Sequence, residues 1–535
     1  MRPQLKYFTE AAIGRILYVN LGTRKIEYVP GDESLENCGR TLALKLLKKY
    51  VPAGVDYLDD SNAIVITPGL LSGTPAPGSG RFTISAGQTK GGLRSVNLAG
   101  PFANRLASLD IAALVIHGES TDTDPLVIHL NESGAEIIPM PLLRGESVSG
   151  VIHKLRGLYP DAAVTGCGPA GERVMPLAAV FSIYPSGRPE YYCARGGMGD
   201  IFGIKGVKAI VAQSADEFAN PIVDRAAFTQ KTREINSLIR EHPVCGKALP
   251  SYGSITLMQM LRDGRSFDEN ASAPQARAAN AQQPGRINRA CTVNCPIRCL
   301  NRNETTGATP FNSPFDSEAF AACKKFFVIE DQDFVLDLNK RCFDLGVDSI
   351  EFLATCALIL KIQGEKDARA GLTRLADELA AATPLGRIVG SATRGVHALF
   401  ADHRDFKPLV TRAATSEHAR FQLKMPHRVK GTEELSDLEY LYSYILASQN
   451  IGLCLFTTFA MLDNPDGLAK LAALVSAKTG QTTDPLAIIR SGYALLCGER
   501  AYELASLQAG RLDNIPEFVK VLYRYFGREK QGADA

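Results

Sequence analysis

The chain has almost no net charge: 59 lysines and arginines stand against 57 aspartates and glutamates, leaving +2 over 535 residues. Without a dominant sign there is no long-range field to gather nucleic acid or anionic lipid, so neither is an expected partner. No apolar run approaches the roughly 18 residues that a membrane-spanning helix needs. The opening stretch, MRPQLKYFTEAAIGR, carries charges but lacks the apolar block of a secretory signal. A cytoplasmic location is the expectation. Histidine is scarce, eight in all, and none lies between His242 and His397. That gap deprives the middle of the chain of the histidines a mixed zinc site would use.

What is present is the composition of a soluble globular protein, 45% hydrophobic and 22% charged, long enough for two or three domains. Twelve cysteines need an explanation in a reducing compartment, where disulfides are disfavoured. Cys38, Cys167, Cys193, Cys245, Cys356 and Cys497 are scattered singly, and each reads as a small buried hydrophobe. Only residues 291–299 concentrate thiols, with three in nine positions.

The first 210 residues read mainly as β. RILYVNL and KIEYVP alternate apolar and polar positions around a Gly22-Thr23 turn. NAIVIT, RFTIS, AALVIHG, PLVIHL and KAIVAQ continue the pattern, separated by glycine-rich turns such as LSGTPAPGSGR and CARGGMGDIFG. Few helices and no internal repeat are expected there. Beyond about residue 212 the apolar period becomes helical. Residues 331–346 read as a helix ending near Gly346, and Asp348 opens another, with Glu351 as its capping-box partner. Residues 367–383 and 459–480 read as helices, and 270–288 as a polar exposed loop.

CTVNCPIRC has the spacing C-x3-C-x3-C, and Pro296 stiffens it. Iron–sulfur clusters need thiolates, several from one tight loop and a further one from elsewhere. Zinc usually takes paired C-x2-C hooks or histidines. On spacing alone zinc and a chance gathering of surface thiols both stay open. Gly166-Cys-Gly168-Pro-Ala-Gly171 formally matches the dinucleotide fingerprint GxGxxG, but ERVMPLAAVFS after it reads as a strand. That fingerprint needs a helix directed at the pyrophosphate, so it is set aside.

CPIRC, together with LSGTPAPGSGRFTIS, SVNLAGPFANRLASLDIAALVIHG, GPAGERVMPLA, CARGGMGDIFGIKGVKAI, FDLGVDSIEF, VKG and IGLCLF, resembles the tungsten-containing aldehyde:ferredoxin oxidoreductase family in order and spacing, from about residue 14 to 456. The resemblance implies a multidomain α+β fold: an N-terminal β-sheet base (1–211) and two mainly helical domains (212–410 and 411–535). It implies a tungsten (or molybdenum) bis-pterin between them, with Mg2+ bridging the pterin phosphates, beside a 4Fe-4S cluster. Cys291, Cys295 and Cys299 match the cluster loop, and Cys454 of GLC matches the distant ligand. Arg81 matches an arginine between pterin and cluster, and Asn97 the asparagine near the magnesium that joins the pterin phosphates, with Gly100 a further cofactor-binding candidate. Arg195, Gly196 and Gly197 match the second pterin-facing turn, and Lys430 a pterin-contacting lysine. Implied partners are ferredoxin or a dedicated electron-transfer subunit, in a homodimer or hetero-complex.

The chain also departs from the family pattern. The cluster loop has one residue more than the family's C-x2-C-x3-C. The pterin segments D-x-x-G-L-D and D-x-x-G-L-C read Phe343-Asp-Leu-Gly-Val-Asp348 and Gln449-Asn-Ile-Gly-Leu-Cys454, so both leading carboxylates are replaced. Asp344, Asp348 and Gln449 are the candidates left at those segments. A glutamate-bearing segment after the cluster becomes Ser313-Pro-Phe-Asp-Ser-Glu318, and the histidine before VKG becomes Arg428, preceded by His427. Asp316, Glu318 and His427 are the candidate proton acceptors. Two functions are therefore expected to compete. One is oxidation of an aldehyde or related oxo compound, with electrons leaving through the cluster. The other is a catalytically altered paralogue serving as an iron–sulfur electron-transfer or structural subunit. A retained tungsten site with a different reaction, such as reduction of an aromatic-ring thioester, is also compatible.

Overall fold

The computed structural model describes residues 14–32, 34–53, 59–88, 92–185, 191–253, 290–300, 316–399 and 427–505. The expected loop at 270–288 and the segment Ser313–Phe315 lie outside them. Residues up to 212 form two six-stranded sheets over one shared apolar core. Strands β1 (Arg15–Asn20) and β2 (Ile26–Pro30) make a hairpin, and helix α1 (Gly39–Tyr50) follows. A meander β3 (Ile64–Pro68), β4 (Arg81–Gln88) and β5 (Gly92–Ala99) comes next. Helix α2 (Pro101–Ser108) then leads to β6 (Ile111–His117).

The second sheet repeats this plan. Its elements are the hairpin β7 (Leu126–Asn131) and β8 (Gly134–Pro139), helix α3 (Val148–Leu158) and strand β9 (Ala163–Cys167). A four-residue helical turn α4 (Pro169–Glu172) follows, then β10 (Ala179–Ile183), β11 (Tyr191–Met198), α5 (Gly199–Ile204) and β12 (Val207–Ala212). The orders are β2-β1-β6-β3-β4-β5 and β8-β7-β12-β9-β10-β11, the same path twice. In each sheet the last strand slots beside the first in parallel and beside the meander in antiparallel.

This overturns the expectation of no internal repeat. Topology repeats because each half meets the same burial demand, which many apolar residues satisfy; β3, β9 and β12, for example, are buried throughout. Helices are also more numerous than expected, since α1 and α3 each pack a leucine- or valine-lined face on a sheet. CARGGMGDIFG is not a turn but the end of β11 running into α5. After Gly168 the chain makes only the short turn α4, and the strand begins at Ala179 rather than directly.

The helical part begins with α6 (Arg225–Glu241), where the Asp224 carboxylate caps by accepting from Ala227 N–H. Helix Gln332–Leu345 ends on Gly346 in the left-handed conformation, as the sequence predicts. Asp348 caps helix Ser349–Gln363 by accepting from the N–H groups of Ile350 and Glu351. The reciprocal half of that capping box is not made, because the Glu351 carboxylate accepts instead from Thr393 N–H and Oγ1. A complete capping box stands at Ser436 and Glu439, opening helix Asp437–Ile451. Helices Thr457–Asp463 and Gly467–Thr479 fall within the expected 459–480 stretch apart from the first turn. Cys497 is exposed on helix Pro485–Ala505, the exception among the scattered thiols, because its position faces solvent.

Two glycine contacts fasten the helices to the base. A Cβ on Gly69 would lie 2.1 Å from Gly452 Cα, and one on Gly168 would lie 2.7 Å from Gly346 Cα. Backbone bonds seal both seams. Leu71 N–H donates to Ile451 O and Arg81 N–H to Gly452 O at the first; Ala179 N–H donates to Gly346 O at the second. Gly69 and Gly168 each follow the third strand of their sheet, so the two seams are counterparts. The sequence places Cys454 two residues after Gly452 and Asp348 two residues after Gly346.

Candidate metal and cofactor site

The turn from Thr74 to Arg81 organises the first seam. Gly78 N–H donates to Asn294 O at 3.0 Å, and Gly78 O accepts from Cys454 N–H at 2.9 Å. One glycine thus touches both cysteine-bearing segments. Gly80, at φ +98°, would place a Cβ 3.0 Å from Thr292 Cγ2, so a side chain there would push the three-cysteine loop away. Within that loop Cys295 and Cys299 are buried and Cys291 is half-buried; Cys454 is buried at the far segment.

The four thiols share one electrostatic neighbourhood. A hydrogen bond from Cys291 pulls the Cys295 thiol down to about 7, helped by the N–H groups of Arg298 and Ile297 against the effect of burial. Cys291, the proton-keeping member of that pair, is pushed up by the same bond and by burial. Burial raises Cys299 and Cys454 as well, and each feels both Cys295 and Arg81. Arg81 is itself half-buried. Burial works to lower its pKa, yet Cys454, Cys291, Tyr192 and Cys299 together hold it above its ordinary value. Its guanidinium hydrogen-bonds the Cys454 thiol. Its Nε is buried and finds no partner among the described residues.

Among the described residues no three His, Cys, Asp or Glu side chains close around a point that one ion would fill. A lone zinc would need its sulfurs about 2.3 Å from a single centre. Three buried thiols and the half-buried Cys291, grouped around the half-buried Arg81, are a donor set that fits a thiolate-bound iron–sulfur cluster. The residues expected to face a pterin would fit a polar cofactor. Asn97 Nδ2 donates to Thr83 Oγ1 at 3.3 Å, while its buried Oδ1 has no partner among the described residues. Gly100 (φ +146°), Gly196 (φ +101°) and Gly197 (φ +82°) have backbones that side chains would strain. At Gly100 a Cβ would also lie 2.6 Å from Ile183 O.

The second seam carries carboxylates where the first carries thiols. Asp348, pushed up by burial and pulled back by Arg195, accepts from Gly196 N–H at 3.4 Å in addition to capping its helix. Arg195 reaches across to Glu318, with Nη1 to Oε2 at 3.0 Å. Asp344 is committed to Ser149, through both N–H and Oγ, and to the Tyr191 hydroxyl. Gln449 Oε1 accepts from Arg40 Nη1 at 2.9 Å, and Arg40 is ion-paired with Glu499 at 2.6 Å. Lys430 and His427 are exposed, and His427 takes a positive φ of +53°. Asp316 opens helix Asp316–Phe327, but its side chain lies outside the described residues.

So the structure gathers Cys291, Cys295, Cys299, Cys454 and Arg81, and separately Arg195, Gly196, Asp348 and Glu318. Sequence reasoning missed Tyr192, whose hydroxyl donates to Ala99 O at 2.9 Å beside Arg81. It also missed Arg40, Asn294 and Cys245. Cys245 sits in a π-helical turn (Pro243–Ala248) and donates to Phe456 O at 3.1 Å, just beyond Cys454. Only the helix-breaking Pro243 hinted at that turn.

Comparison with known proteins bears on this arrangement. A family model for the N-terminal domain of aldehyde ferredoxin oxidoreductase matches residues 16–214, and one for that family's domains 2 and 3 matches 230–380. The tungsten-containing aldehyde ferredoxin oxidoreductase of Pyrococcus furiosus is 29% identical over 366 residues, and that of Thermococcus kodakarensis 30% over 367. Each alignment spans 65% of this chain and 58% of the relative, so the chain matches less than two thirds of those proteins. Among solved structures, the active site complex BamBC of benzoyl coenzyme A reductase superposes with a TM-score of 0.76 at 16% identity, over 96% of this chain and 94% of that one. That likeness is one of fold: an α+β base followed by helical domains.

Proposed function

The chain belongs to the aldehyde ferredoxin oxidoreductase family, and from that premise we propose that it is a redox protein holding a tungsten (or molybdenum) bis-pterin beside one 4Fe-4S cluster. Its reaction is oxidation of an aldehyde or related oxo compound. The observation that carries this reading is the half-buried Arg81, bonded to Cys454, surrounded by the other thiols, with a buried Nε that has no partner among the described residues. A cation in that position favours the electron-rich form of a neighbouring cluster and still has a donor for a second group.

In this reading Cys291, Cys295, Cys299 and Cys454 hold the cluster, and Arg81 bridges it to the pterin. Asn97 and the Gly100 turn hold the phosphate end, with Mg2+ where the phosphates meet. Arg195, Gly196, Gly197 and Asp348 line the second pterin position, with Lys430 at its edge. When bound, the metal supplies two-electron oxo chemistry and the cluster passes the electrons on singly. Glu318 is the foremost candidate to take the proton, with Asp316 and His427 as alternatives. Its Oε2 accepts from Arg195 Nη1 at 3.0 Å, and its carboxylate keeps further acceptor positions. Ferredoxin or a dedicated electron-transfer subunit receives the electrons, within a homodimer or a larger complex, in the cytoplasm. Among the described residues no helix is long and apolar enough to cross a membrane.

The second reading, an altered paralogue acting as an iron–sulfur subunit, is favoured by particular contacts. Asp344 and Gln449, at the two segments that lack their leading carboxylates, are already bonded within the protein, to Ser149 and Tyr191 and to Arg40. Metal and pterin analysis of protein from tungstate-supplied cells separates the readings. Tungsten and pterin with dye reduction by simple aldehydes support the first. Iron and sulfide alone, with stable association to another protein, support the second and end the first.

A further inference from the structure

The spacer Thr292–Asn294 between the first two loop cysteines makes unequal contacts. Val293 is 47% exposed, whereas Thr292 is buried against Gly80. Asn294 reaches into the base. Its Nδ2 lies 3.0 Å from Thr74 O, 2.5 Å from Ala76 O and 3.1 Å from Ser79 Oγ, three acceptors for two hydrogens. Its backbone O accepts from Gly78 N–H at 3.0 Å. Ser79 Oγ itself donates to Ala76 O, which leaves the hydroxyl oxygen free to accept from Asn294. The turn so held is the one whose Gly78 O takes Cys454 N–H and whose Arg81 N–H reaches Gly452 O.

Two separate stretches, the three-cysteine loop and the fourth cysteine, therefore meet on residues 74–81, the turn that ends in Arg81. An amide is needed at 294 because the site offers acceptors only. A carboxylate of the same shape would face three oxygens, and an apolar side chain would leave Thr74 O without a donor.

We propose that Asn294 is a positioning residue for the cluster, fixing the distance between the three-cysteine loop and Arg81 and so the guanidinium's hold on the reduced cluster. This rests on the 4Fe-4S reading above. Groups that orient thiolate ligands govern both retention and potential of a metal centre, and their loss typically weakens retention about 10–100-fold.

The test uses the full chain, carrying its cluster, as wild type, Asn294→Asp, Asn294→Ser and Val293→Ala. Three readouts are followed: the rate of iron loss to a chelator, the midpoint potential, and the EPR line shape of the reduced protein. Asn294→Asp should lose iron about 10–100-fold faster and change both potential and line shape. Asn294→Ser, which keeps a single donor, should fall between it and wild type, and Val293→Ala should match wild type. If Asn294→Asp does not fold, the potential and line shape of Asn294→Ser decide. Potentials and spectra unchanged in both Asn294 variants overturn the proposal, as does a Val293→Ala effect of the same size. A wild-type chain that holds no cluster fails the parent reading, a result distinct from those two.

Discussion

Removing Arg81 is the sharpest change available at the scale of one residue. Arg81→Ala would leave clustered thiolates without their counter-charge, a loss below the roughly 3–5 kcal/mol of a fully buried pair because Arg81 is half-buried. Its cluster should become harder to reduce, so the midpoint potential falls, whereas Arg81→Lys keeps the charge and moves it less. Redox titration followed by EPR measures both. Cys295 sets a pH dependence. Its pKa lies lowered, at about 7, so its thiolate contributes to the folded apoprotein above the ordinary thiol value and that contribution is lost as pH falls through about 7. Thiols must shed protons to bind iron. Cluster uptake by the apoprotein should therefore weaken as pH drops from about 8 to 6, and uptake that is flat across that span would contradict it. Glu318→Gln should change stability by less than about 1 kcal/mol, because its pair with Arg195 is partly exposed. Turnover lost with tungsten retained would then be chemical in origin, and steady-state rates with metal analysis report it. At this scale the three loop cysteines were legible because they crowd nine residues. Cys454 was not legible without a family pattern, since 154 residues separate it from Cys299. Tyr192, Arg40 and Asn294 act through long-range contacts that no local pattern announces.

Caps decide several helices at the scale of elements. Ser436→Ala should cost about 1 kcal/mol, seen as a lowered thermal midpoint, because it removes the acceptor for Glu439 N–H and half of a reciprocal box. Glu439 is held below its ordinary carboxylate range by Ser436, with Arg500 adding to the effect. That stabilisation is present above its unfolded value and fades as pH falls through the lowered one. Cap signals were readable at Asp348 and Gly346 because they are local chemistry. At Glu351 the same signal misled, since a tertiary donor, Thr393, outcompeted the box. Strand β11 escaped detection because the glycines near its end, Gly196-Gly197, read as a turn. Those glycines serve close approach and positive φ rather than chain reversal.

At the scale of the whole molecule, the base is two copies of one sheet plan, each sealed to the helices by a glycine pair. Gly69→Ala would force a Cβ to 2.1 Å from Gly452 Cα, and Gly168→Ala to 2.7 Å from Gly346 Cα. Overpacking of this kind costs about 1–3 kcal/mol, and backbone on both sides cannot rotate away. Both variants should be destabilised in chemical denaturation, but only Gly69→Ala should disturb the cluster spectrum, because Cys454 follows the first seam. The repeat was invisible in the residues since apolar identity is free wherever burial alone is demanded. What differs between the halves is the chemistry at equivalent places, thiols with Arg81 at one and a carboxylate with Arg195 at the other. In the proposed function these places hold a cluster and a metallopterin side by side. Iron, sulfide and tungsten analysis with EPR of the same reduced sample tests it most directly. The account predicts about four irons per tungsten and the signal of a reduced 4Fe-4S cluster on four thiolates. Zinc in place of iron, or a protein free of both iron and tungsten, would contradict it.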